Sequence, residues 1–132
     1  EAHLGFTLGL PSPADIARGV HRALLERHYA TGAVHPADRL DGLRLLIIPH
    51  WIVADPAWLP GLEAWVRAGG ILVLGARCGA HDANNHFIAD ALPGRWRELA
   101  GIAVADYGRI NQPAARPLPA RLGAHEFTAE LW

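Results

Sequence analysis

Residues 43–76 read LRLLIIPHWIVADPAWLPGLEAWVRAGGILVLGA. LRLLIIP (43–49) is a short, continuous apolar run closed by proline, which is how a parallel strand covered on both faces reads. DPAWLPGLEAWVRAGG (55–70) offers Asp55 as an N-cap with Pro56 in the first turn. Leu59, Leu62, Trp65 and Val66 then form an apolar stripe at helical spacing, and Gly69-Gly70 stops it. ILVLGA (71–76) is a second buried strand. Strand, helix and strand in this order make a β-α-β crossover, right-handed by default. The fold class follows from this unit: α/β, three-layered, with a mostly parallel sheet.

Upstream, PSPADIARGVHRALLERHYATG (11–32) supplies Ser12 or Asp15 as a cap and closes on Gly32. Ile16, Val20, Leu24 and Leu25 fall on one face of the intervening helix. A first strand before it is hard to find in EAHLGFTLGL (1–10), and a second around Ala33–Leu40 is short. The N-terminal side is therefore expected to be truncated, shuffled or divergent. Downstream, LPGRWRELAGIAVADYG gives a short helix over about 94–100 and an extended segment, IAVADY. Residues 111–132, rich in Pro, Ala and Arg, are expected to be an irregular tail of one domain spanning 1–132.

Composition limits the function classes. A chain of 132 residues has the size of one ordinary domain and can bury about 65–70% of its unfolded surface, so it needs no staples. With 51% hydrophobic and 19% charged residues it is globular rather than disordered. A net charge of −1 with scattered basic residues predicts no nucleic-acid partner. No apolar run approaches a membrane span, so no membrane partner is expected either. One cysteine excludes an intrachain disulfide framework. The chain begins at Glu1 and has no Met, and the expectation is a piece excised from a longer protein.

The stretch LDGLRLLIIPHWIVADPAWLPGLEAWVRAGGILVLGARCGAHDANNHFIADALPGRWRELAGIAVADYGRI, roughly residues 40–110, resembles the trimerisation domain of family 42 glycoside hydrolases, the bacterial β-galactosidases. The resemblance rests on the strand ending in Pro49, the AGG-x-LVL turn and strand, and Arg77-x-Gly79 after it. It continues through Asp82-x-Asn84-Asn85, the LPG-x-x-x-x-LAGI segment and the pair Asp106-Tyr107. It implies a flavodoxin-like sheet similar to class I glutamine amidotransferases, and a non-catalytic role holding three subunits of a cytoplasmic enzyme together. That enzyme would hydrolyse terminal β-D-galactosides on a separate barrel domain. The implied partner is another copy of the chain in a homotrimer, with no cofactor.

Register bears on whether the strand end at 75–79 is reactive. The amidotransferase elbow is Gly-x-Cys-x-Gly, at a sharp strand-to-helix turn that presents a nucleophile. Gly75 and Gly79 match its glycines, so the nucleophile position is Arg77, and Cys78 comes one residue later. Arginine can neither attack nor release a proton at usable pH. A cysteine nucleophile also needs a His within reach. His81 and His86 are near only in sequence, and His125-Glu126 lacks the spacer of the family's His-x-Glu dyad. No catalytic residue is expected, and Cys78 reads as an inert thiol. The alternatives are a cysteine hydrolase of altered register and a small-ligand module. In the latter, Arg77 with Asp82, Asn84 and Asn85 would meet an anion at the strand ends. The structural role for Arg77 is to bind carbonyls or Asp82 with its planar fork.

HDANNH (81–86) gathers metal-capable side chains but matches no zinc spacing. Asx-rich segments more often cap their own turns, so no metal is expected. His21, His28 and His35 recur every seven residues, but only the first two can share a helix face, and all read as solvated or interfacial. Among five tryptophans, Trp51, Trp58 and Trp65 are interface candidates. Trp51 and Trp58, in the apolar loop HWIVADPAWLP, are expected to be exposed and to meet a partner.

Overall fold

A computed structural model of the chain describes residues 12–35, 37–53, 55–75, 77–105 and 118–129. The expected strand within 1–10 and the pair Asp106-Tyr107 lie outside these residues.

Helix α1 spans Pro13–Leu25 and begins as its sequence dictates. Ser12 Oγ accepts from the Asp15 backbone N–H at 3.1 Å, and Pro13 occupies the first turn. The Ser12 hydroxyl, followed by the Arg18 guanidinium, holds the Asp15 carboxyl below its usual range. The helix does not run on to Gly32. Its Schellman closure has His28 in the left-handed conformation at φ 60°. His28 N–H donates to the Leu25 carbonyl and Tyr29 N–H to that of Leu24. No residue of α1 is fully buried; Ile16, Val20 and Leu24 are half-buried and Leu25 is exposed.

Strands β1 (Leu45–Ile48) and β2 (Ile71–Leu74) pair in parallel with Leu45 opposite Ile71 and Ile48 opposite Leu74. Between them lie a 3-10 turn, Pro56–Trp58, and helix α2, Leu59–Arg67. Asp55 caps the 3-10 turn, accepting the Ala57 N–H at 2.8 Å. The Gly-Gly stop is a second Schellman closure, with Gly69 at φ 101° and Gly70 N–H on the Trp65 carbonyl. The Trp65 ring lies where a side chain at position 70 would be, so that position requires glycine.

Alternation along the strands sets the core. Leu46, Ile48, Leu72 and Leu74 pack with Leu59 and Leu62 of α2, and with Cys78, Trp96 and Leu99. A second small cluster joins Ile52, Ala80 and Leu92, with Val104 against it. The opposite sheet face carries Leu45, Ile47, Ile71 and Val73, and it is not covered as expected. Ile71 is 60% exposed, Val73 45% and Leu45 43%. The three-layer expectation is thus met by α2 on one side only, among the described residues.

The chain crosses the molecule again through the turn Gly94–Trp96 and helix α3 (Arg97–Ala100), which ends on left-handed Gly101. Val104 N–H then donates to the Leu92 carbonyl at 2.7 Å. No strand forms in the described residues of 33–40. Instead the Asp38 carboxylate accepts the His35 N–H at 2.7 Å and bends the chain into a turn. The C-terminal segment is not wholly irregular: β3 (Leu118–Leu122) and β4 (His125–Ala129) form an antiparallel hairpin. Its two-residue loop places Gly123 at φ 60°, a conformation glycine adopts without strain. No helix among the described residues is long and apolar enough to cross a membrane.

Candidate functional site

The strand ends converge at residues 49–53 and 75–81. Gly75 N–H donates to the Ile48 carbonyl at 2.8 Å, so β2 leaves the sheet in contact with the exit of β1. A Cβ at position 75 would overlap the Pro49 carbonyl oxygen, which makes glycine obligatory there. Beyond the strands the two segments keep their parallel relation. Gly79 N–H reaches the Trp51 carbonyl at 2.8 Å and His81 N–H the Ile52 carbonyl at 3.0 Å.

Within this turn the strained backbone position is Arg77, at φ 71°. A non-glycine residue there costs energy and is held by its surroundings. Arg77 is half-buried. Cys78 follows with no exposed surface, packed among Ile48, Leu62 and Trp96. Its thiol donates to the Ile48 carbonyl at 3.5 Å and accepts the Trp51 N–H at 3.3 Å. Burial pushes the thiol pKa up, outweighing the backbone hydrogen bonds with Trp51 and Gly75 that lower it. Gly79, at φ 70°, passes so close to Pro93 that a Cβ would stand 2.8 Å from its carbonyl oxygen.

The HDANNH segment is a hairpin turn folded around one carboxylate. Asp82 Oδ1 accepts the backbone N–H of Asn84 at 2.9 Å and of His86 at 2.8 Å. Asn85 sits at φ 64° and donates its N–H to the Asp82 carbonyl. The two histidines part company. The His86 side chain is 80% exposed, with Nδ1 3.8 Å from Asp82 Oδ2, whereas His81 is only 4% exposed. His81 Nδ1 lies 3.0 Å from the Asn85 carbonyl oxygen, which can only accept, so Nδ1 carries a proton. Nε2 is buried with no hydrogen-bond partner among the described residues. No group of three His, Cys, Asp or Glu among those residues is arranged to hold a metal ion.

The tryptophans separate by role. Trp96 is buried at the centre of the core. Trp51 stacks on Trp58 with centroids 4.3 Å apart and meets Trp96 edge-on at 5.8 Å. Both Trp51 and Trp58 are half-buried rather than fully exposed. Trp65 is half-buried and donates Nε1–H to the Leu43 carbonyl at 3.2 Å. Sequence reasoning did not anticipate the Trp51–Trp58 stack, since the loop between them hides the pairing. It also missed the 118–129 hairpin, whose signal was strand-length segments flanking Gly123-Ala124.

Taken together, these elements define an α/β domain built on a β-α-β unit, with a glycine-bounded turn at the strand ends that carries arginine at its strained position. The model of the β-galactosidase trimerisation domain matches residues 12–130, and the chain belongs to that family. The chain is 28% identical over 94 residues to β-galactosidase BgaA of Clostridium cellulovorans, covering 71% of this chain and 14% of that protein. It is 33% identical over 98 residues to β-galactosidase BglY of Alicyclobacillus acidocaldarius, covering 70% and 14%. The chain thus spans about a seventh of the length of these relatives. The crystal structure of a β-galactosidase from Bifidobacterium adolescentis superposes with a TM-score of 0.65 at 21% identity. That match covers 71% of this chain and 46% of the other, and it supports the fold.

Proposed function

We propose that this chain is the non-catalytic association domain of a β-galactosidase, in which three copies hold together an enzyme acting on terminal β-D-galactosides. The family match over residues 12–130 carries the reading. The finer fold in this proposal is flavodoxin-like, of the class I glutamine amidotransferase type, with the parallel β1–β2 pair as its centre.

The strand-end turn supports a role without chemistry. Arg77 occupies the position a nucleophile would take, and Cys78 is turned into the core with its thiol pKa raised. A thiol that is buried and holds its proton is a poor nucleophile. The acid and nucleophile of glycoside hydrolysis, two carboxylates about 5–5.5 Å apart in a retaining enzyme, would then lie elsewhere in the parent protein. Arg77 serves to fix the turn, and the Asp82, Asn84 and Asn85 side chains to shape the loop beside it. The surface parts of Trp51 and Trp58 are the proposed aromatic contacts with a partner, while Trp65 is more tied to its own helix end.

Absolute mass in solution, measured by size-exclusion chromatography with light scattering over a hundredfold concentration range, tests the reading. A trimer, or a concentration-dependent approach to one, is expected. A monomer throughout the range would sink the proposal for this chain.

A further inference from the structure

We draw no further inference here: the strongest candidate, the outward side of the β1–β2 sheet with exposed Leu45, Ile71 and Val73, carries none, because nothing among the described residues shows what covers it.

Discussion

The two faces of the β1–β2 sheet are made of the same kind of residue and meet opposite fates. Leu46, Ile48, Leu72 and Leu74 point to α2 and sit in the core, while Leu45, Ile71 and Val73 on alternate positions face outward and stay exposed. Hydrophobicity along a strand therefore says that a face should be covered; it does not say which element, or which molecule, provides the cover. On the covered side the chain supplies its own helix through the β-α-β crossover. On the open side the described part of the chain supplies none.

This contrast can be broken by substitution. The largest effect is expected at the joint both faces share: Gly75→Ala would drive a Cβ into the Pro49 carbonyl and should cost about 3 kcal/mol or more, enough to leave little folded protein in a urea titration. On the covered face, Leu62→Ala should cost roughly 2–5 kcal/mol, because Leu62 is buried under the sheet. At Ser12, away from the sheet, loss of the cap by Ser12→Ala should cost about 0.5–2 kcal/mol. On the open face, Val73→Thr should change the stability of the dilute monomer by only about 0.5 kcal/mol, read from the same titrations. A loss at Val73 as large as that at Leu62 would show that the monomer itself covers the open face, and the contrast would collapse.

A pH test sharpens the covered side. The Cys78 thiol has a folded pKa raised above its ordinary 9.0 by burial. Below that ordinary value both states hold the proton and the stabilisation from burying a neutral thiol is fully present. As pH rises past it, the unfolded chain releases the proton while the folded chain keeps it, so stability falls until the folded pKa is reached. Thermal unfolding between pH 8 and 10.5 should therefore show a decline that Cys78→Ala reduces. Equal declines in both proteins would mean that the thiol is not held as the structure has it.

How much of this was legible in the sequence depends on how local the cause is. The crossover, the Asp55 and Ser12 caps and the Gly-Gly stop rest on neighbouring residues, and they can be read from the chain. The register that puts Arg77 between Gly75 and Gly79 is equally local. The end of α1 was misread because a Schellman closure usually takes glycine, and here His28 adopts the left-handed conformation four residues before Gly32. The hairpin was passed over because Pro119 and Arg121 dilute the strand pattern of β3 in a Pro-rich setting. At the strand ends, the thiol's embedding depends on the Ile48 carbonyl and the Trp51 N–H, some thirty positions away. Contacts of that range leave no spacing to read.

The stacking of Trp51 on Trp58 has an optical consequence. Two indole rings with centroids 4.3 Å apart and planes inclined by 24° are close enough for their strong ultraviolet transitions to couple as an exciton pair, which gives the loop joining them its own dichroism signature. The signal reports whether residues 51–58 are folded, and it arises within one chain. Dichroism can thus follow the folding of this loop in the dilute monomer, and a change in the same signal as light scattering registers assembly would mark these two rings as part of the subunit contact.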